Sequence, residues 1–352
     1  METIVDVAAV TESVAQSFDV RDPSDVGEIR RQAAALAAAF EFDETASGRL
    51  AIVASELATN VLKHGRGGEM LLAPVRRGGA GLALLALDRG PGIVNIAASM
   101  RDGYSTGGSL GVGMGAIERQ SDEVDLYSRA EHGTAMLARV FARTASAREP
   151  VAAPAERQSA RLSIGALCLA KRGQQLSGDS WAWRRVDGQV QLLVVDGLGY
   201  GPQASATAAA AVAAFRTARS VLPSDILNEL HRALKATRGA VAAIASIDPV
   251  AGRLRYAGVG NINGLIRSDG GRRHLMSADG TLGYQARVFR DADHAFERGA
   301  SLIMHSDGMA TRLSPDGYPG LLHHDPDLIA GVLYRDFKRD NDDATIAVVR
   351  LL

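Results

Sequence analysis

Two domains, each mixing α-helices and β-strands (α+β), are predicted by three observations. The chain has 352 residues, about twice the usual length of one domain. Alanine-rich helical patterns alternate with short apolar runs such as GLALLALD (Gly81 to Asp88). Later runs, RLSIGALCLA, VQLLVVDG, AAIASID, SLIMHSDG and TIAVVRLL, have the length and apolar character of buried strands ending in loops. Between the two sets lies TASAREPVAAPAERQSA (Thr144 to Ala160), with small residues, two prolines and no apolar periodicity, which reads as an interdomain linker. The expected division is therefore 1–143, a linker at 144–160, and 161–352, with no internal repeat in either half.

Composition removes several classes of function. Lys and Arg total 39 against 40 Asp and Glu, a net charge of -1, so the general attraction to nucleic acid or anionic lipid is missing and neither partner is expected. With 46% hydrophobic and 22% charged residues, the chain can bury a core and does not have a disordered composition. Its one cysteine, Cys168, excludes an internal disulfide or a Cys-based zinc site. Cys168 lies in an apolar strand pattern and reads as a small buried side chain. A cysteine phosphatase needs a phosphate cradle after the thiol, which CLAKRGQQ does not provide. METIVDVAAV carries acids where a signal peptide needs basic residues, and the longest apolar stretch, Ala204 to Phe215, is too short to cross a bilayer. A cytoplasmic location is expected.

In the first half, GRLAIVASELATNVLKHG reads as a helix. Val53, Leu57 and Val61 form its buried side, and Glu56, Asn60 and His64 fall along one polar stripe. An amide oxygen can ligate a hard cation and a neighbouring carboxylate can deprotonate an attacking hydroxyl, which suits Mg-nucleotide chemistry. His64 reads as a helix-surface residue. In LLALDRGPGI, Asp88 ends an apolar run just before Gly90 and Gly92, where a carboxylate can accept from a base's amino group. DGYSTGGSLGVGMGAIERQ then gathers Gly107, Gly108, Gly111, Gly113 and Gly115 into a loop opening into a helix, so that backbone amides can cradle phosphate.

In this order ELATNVLKH, DRGPGI, GGSLGVGMG and EHGTAM resemble the successive motifs of GHKL-fold ATPases, in the version used by anti-sigma-type serine kinases, most closely the RsbT-like branch. The resemblance covers nearly all of residues 1–140 and implies an α/β two-layer sandwich binding ATP and Mg²⁺. It further implies that Asn60 holds the Mg²⁺, Glu56 acts as base on a target serine, and Asp88 reads the adenine amine. The glycines, Gly90, Gly92, Gly107, Gly108, Gly111, Gly113 and Gly115, would shape the nucleotide site and its lid, with Thr134 near the base. Targets of that branch are STAS-domain proteins.

In the second half, Asp179 in LSGDS, Asp196 in LLVVDGLGYG, Asp307 in LIMHSDGM and the pair Asp342 and Asp343 in NDDATIAVV end apolar runs or sit in glycine turns. If strand ends bring them together, mutual repulsion raises their pKa values unless cations neutralise them. Carboxylates with the Gly197 carbonyl would suit Mg²⁺ or Mn²⁺. Trp181 and Trp183 would share one side of a strand and pack in a core. The adjacent His323 and His324 point apart and read as surface residues.

GDS, VVDGLGYG, GVGNING, HSDGMATR and DDATIAVV resemble the ordered motifs of the SpoIIE-type, metal-dependent (type 2C-like) serine/threonine phosphatases, closest to RsbX-like members, over residues 161–352. That implies an α-β-β-α sandwich holding two Mn²⁺ or Mg²⁺ ions. Asp196 and Gly197 would bridge the ions, Asp179 and Asp307 would complete their shells, and Asp342 rather than Asp343 would be a further ligand. The family often has histidine where Tyr200 stands.

Together the resemblances imply a switch enzyme that writes and erases phosphate on a STAS-domain partner, with a further regulatory partner released by switching. The alternative is a phosphatase alone, its first domain sensing ATP or binding a sigma factor or antagonist. Retention of both Glu56 and Asn60 favours the first.

Overall fold

The computed structural model describes residues 15–76, 80–93, 113–142, 162–285 and 288–352. These residues form two units, one of 15–142 with 323–335 and one of 162–322 with 336–352.

In the first unit, helix α2 (Glu44–Lys63) starts at Asp43, whose carboxylate accepts from Ala46 N and satisfies one of the amides a helix start leaves open. Val53, Leu57 and Val61 are buried as their spacing predicts. With α1 (Pro23–Ala39) and α3 (Gly113–Gln120), α2 covers one face of a five-stranded antiparallel sheet. Its strands are β1 (Gln16–Val20), β2 (Gly68–Arg76), β3 (Ala80–Asp88), β4 (Glu123–Ser128) and β5 (Thr134–Phe141), in the order β1-β2-β3-β5-β4.

Alternation along β3 sends Leu82, Leu84 and Ala86 into the helix-side core. Ala83, Leu85 and Leu87 face the other way and are buried too. Residues 323–335 occupy that second face. The two histidines there behave differently, a departure from the surface placement expected of both: His323 is exposed. His324 Nδ1 bonds to Asp125 Oδ1 at 2.8 Å, and its ring stands edge-on to Tyr127.

The second unit packs two five-stranded antiparallel sheets face to face. One has the order β13-β10-β9-β8-β7, from β7 (Asp179–Val186), β8 (Gln189–Gly197), β9 (Ala240–Asp248), β10 (Arg253–Val259) and β13 (Ala292–Ala295). The other has the order β12-β11-β14-β15-β6, from β6 (Leu162–Leu169), β11 (Asn263–Ser268), β12 (Gly271–Leu275), β14 (Ser301–His305) and β15 (Ala344–Leu351). Leu192, Val194, Ala245 and Tyr256 of the first sheet meet Leu302, Met304, Ala347 and Val349 of the second in one core. Trp181 and Trp183 pack against it as expected. Helices α4 (Pro202–Thr217) and α5 (Pro223–Ala233) bury Val212, Phe215, Ile226 and Leu230 on the outer face of the first sheet.

The five apolar runs of the later half are strands β6, β8, β9, β14 and β15, and both halves mix helix and sheet as predicted. The last helix, α6 (Pro326–Phe337), lies between β14 and β15 in sequence. No described helix is long and apolar enough to cross a membrane.

Candidate active sites: a nucleotide pocket and an acidic cleft

Glu56 and Asn60 lie one turn apart on α2, both half-buried. Gly113, the first residue of α3, faces them: a Cβ there would stand 2.9 Å from Glu56 Oε2 and 3.5 Å from Asn60 Oδ1. Glycine therefore leaves room between the α3 backbone and the carboxylate and amide of α2. Gly115 is buried in α3.

Asp88 ends β3 opposite Gly68 and is 8% exposed. Its Oδ1 accepts from Gly90 N at 2.8 Å and from Thr134 N at 3.1 Å. Among the described residues Oδ2 accepts no bond. Burial pushes this carboxyl above the usual carboxylate range, against the two amides and the charge of Arg335, which lower it. Gly92 turns the chain after Asp88 with φ +70°, and the Thr134 hydroxyl pairs with Ser128 Oγ at 2.9 Å. His64 is exposed at the end of α2, as expected. Gly107, Gly108 and Gly111 lie outside the described residues.

In the second unit Asp179, at the start of β7, is the cross-strand partner of Asp196 near the end of β8, which sets their Cβ atoms ~5 Å apart. Asp179 is buried, and its Oδ2 accepts from Ser306 Oγ at 2.6 Å. Burial, then repulsion from Asp196, holds its pKa well above the ordinary value. Asp196 is pushed up to about 7 by burial and then by Asp307, Asp342 and Asp343. Asp307, just after β14, is raised by burial and by Asp342, and its Oδ2 accepts from Asn261 Nδ2 at 2.7 Å.

The adjacent acids Asp342 and Asp343 have different surroundings. Asp343 accepts from Lys171 N and Gly178 N, each at 2.6 Å, so both its oxygens are committed to backbone. Asp342 accepts from Asp343 N at 3.0 Å and keeps an oxygen clear of bonds among the described residues. Gly197 donates its amide to Gly178 O at 3.0 Å.

Among the described residues no group of three or more His, Cys, Asp or Glu side chains is gathered as a ready metal cage. The acids instead stand close enough for Asp307, Asp342 and Asp343 to raise the pKa of Asp196, and for Asp342 to raise that of Asp307. That fits hard divalent cations that keep several waters and take one or two carboxylates each. Cys168 is buried beside this cleft, with burial and then Asp179 pushing its thiol up to about 12, so it is no nucleophile. Ser306 in HSDGMATR and Asn261 in GVGNING are further residues of this cleft, bonded to Asp179 and Asp307. The only signal for either was its place beside a glycine turn, whereas their roles come from long-range hydrogen bonds.

Comparison with known proteins finds relatives for both halves of the chain. Residues 20–140 match the family described as "Histidine kinase-like ATPase domain", and residues 186–352 match "Stage II sporulation protein E (SpoIIE)". Over 94 residues the chain is 39% identical to the serine/threonine-protein kinase RsbT of Bacillus subtilis (strain 168), covering 26% of this chain and 71% of the relative. The chain belongs to the first of these families, and it joins that domain to a SpoIIE-like half, as a fusion.

Over 142 residues it is 28% identical to the phosphoserine phosphatase RsbX of Bacillus subtilis (strain 168), spanning 40% of this chain and 71% of the relative. A solved structure described as "The bacterial stressosome: a modular system that has been adapted to control secondary messenger signaling" is 30% identical, with a TM-score of 0.51, 54% of this chain covered and 100% of that one. The fusion is thus an enzyme of the protein-serine/threonine phosphatase type joined to a kinase-type ATPase domain of partner-switching systems.

Proposed function

We propose that the fusion is a bifunctional switch that phosphorylates a serine of a STAS-domain partner and removes the phosphate again. Residues 1–143 act as kinase, 144–160 as linker and 161–352 as phosphatase, in the cytoplasm. The observation that carries this reading is that one chain holds two oxygen-donor pairs: Glu56 and Asn60 facing Gly113, and Asp179 paired across strands with Asp196.

In the kinase, Asn60 holds Mg²⁺ with ATP, Asp88 Oδ2 accepts from the adenine amine, and Thr134 flanks the base. Gly90, Gly92, Gly107, Gly108, Gly111, Gly113 and Gly115 leave room for nucleotide. Glu56 takes the proton of the target hydroxyl as its oxygen bonds to the γ-phosphorus and the bridge to ADP breaks.

In the phosphatase, Asp196, the Gly197 carbonyl, Asp179, Asp307 and Asp342 would hold two Mn²⁺ or Mg²⁺ ions. Bound cations supply positive charge beside the phosphoryl oxygens and lower the pKa of water. Asp196 orients the attacking water. Ser306 and Asn261 fix Asp179 and Asp307. Water oxygen bonds to phosphorus, the serine Oγ–P bond breaks, and a proton passes to the serine. A phosphate placed at a helix start adds up to about two negative charges and can expel a docked regulatory partner.

The test incubates the full chain and a STAS-domain protein with ATP and Mg²⁺ and follows intact mass. Asp196→Asn should let one phosphate accumulate on the partner, and Asn60→Ala should prevent its addition. Phosphate removal by the wild type without any addition would leave the phosphatase alone.

A further inference from the structure

The first unit is not contiguous in sequence. Residues 323–335 follow Asp307 and precede Asp342 in the chain, yet they lie on the sheet face opposite α1 and α2. Gly331 brings the α6 backbone onto β3, since a Cβ there would stand 2.3 Å from Leu85 Cδ2. Arg139, 2% exposed, joins Glu123 at 2.7 Å, Asp325 at 2.6 Å and Asp327 at 2.5 Å, linking both stretches of chain.

Arg335 is buried at the other end of the segment. Its Nη1 donates to Asp88 O at 2.8 Å and to Thr134 O at 3.4 Å, and Arg89 donates in turn to the Arg335 carbonyl. Asp88 and Thr134 are the pair already joined through the Asp88 carboxylate. One guanidinium therefore holds the backbone on both sides of the carboxylate that faces the base. Its charge also acts on that carboxyl, opposing the effect of burial. A long apolar side chain would fill the same volume but could neither donate to the two carbonyls nor carry the charge.

We infer that Arg335 is a positioning residue of the nucleotide site, fixing Asp88 and Thr134 for the adenine, so that nucleotide recognition depends on a segment encoded between two acids of the phosphatase cleft. This rests on the reading of Asp88 as the adenine acceptor. The role differs from general support of the fold, because it predicts a loss specific to the base.

The experiment measures binding of ATP and of GTP, each with Mg²⁺, to the full chain by calorimetry. Arg335→Met should weaken ATP on the order of tenfold and leave GTP within about threefold, so that base selectivity collapses, while Arg335→Lys recovers part of it. Unchanged ATP affinity, or an equal loss for both nucleotides, would overturn the positioning role. Absence of ATP binding by the wild type would overturn the nucleotide reading itself and this role with it. Should Arg335→Met melt without a cooperative transition, Gly331→Ala is read instead. It displaces the helix from Leu85 and should lower ATP affinity with the same sparing of GTP, and wild-type affinity for ATP in a folded Gly331→Ala would count against the inference.

Discussion

Replacing Asp196 by asparagine should stabilise the metal-free protein while abolishing its response to metal. The Asp196 carboxyl is pushed from 3.8 to about 7 by burial and by the acids around it. A carboxyl whose folded pKa is raised contributes stability that is fully present below the unfolded value. That contribution is lost as pH rises through the folded value. Near pH 8 the folded protein therefore carries a penalty that an amide does not. At about 1.4 kcal/mol per pKa unit the ceiling is ~4 kcal/mol. Partial solvent access and sharing of the repulsion with Asp179 reduce this to about 1–2 kcal/mol.

For a domain of this size that is a rise of roughly 2–8 °C in melting temperature. Scanning calorimetry of the full chain should show it at pH 8 without metal and show it vanish near pH 4. With Mn²⁺ at a hundred times its dissociation constant, the wild type should gain about 2.7 kcal/mol and the variant almost none. A variant less stable than wild type at pH 8 without metal, or one that gains as much from Mn²⁺, would refute the placement of Asp196 at the centre of a cation cleft.

Three further outcomes are expected. Ser306→Ala removes the hydroxyl that lowers the Asp179 pKa, so Mn²⁺ binding should need a higher pH, read as a rightward shift of the affinity profile by isothermal titration between about pH 6 and 8. Gly113→Val places a side chain against Glu56 and Asn60 and should weaken ATP·Mg on the order of tenfold or more while far-UV circular dichroism stays unchanged. Arg139→Met leaves Glu123, Asp325 and Asp327 without their shared cation and should cost about 3–5 kcal/mol in urea unfolding of the first unit; a cost under about 1 kcal/mol would show the cluster to be screened.

Local pattern made much of this protein legible. Helix α2 follows from Val53, Leu57 and Val61 recurring at helical spacing, and among the later apolar runs β8, β9, β14 and β15 are strands buried on both faces, which selects unbroken β-branched and aliphatic stretches. Glu56 and Asn60 one helical turn apart, and Asp88 at a strand end, are legible as candidates because one turn of helix and one strand end are short-range features. The preference for Asp342 over Asp343 as a ligand rests on resemblance; the fold adds that both Asp343 oxygens accept from the Lys171 and Gly178 amides.

Other features depended on residues far apart in sequence. The carboxylate repulsion at Asp196 needs β7 and β8 in register, because a shift of one residue would turn Asp179 to the opposite face. Ser306 reaches Asp179 across 127 positions, and Asn261 reaches Asp307 across 46. His324 looked like a surface residue until Asp125 was brought beside it. Residues 323–335 carry no pattern that assigns them to the earlier half. Periodicity reports which side of an element is apolar, but the surface that covers it is selected only when distant stretches of chain pack together.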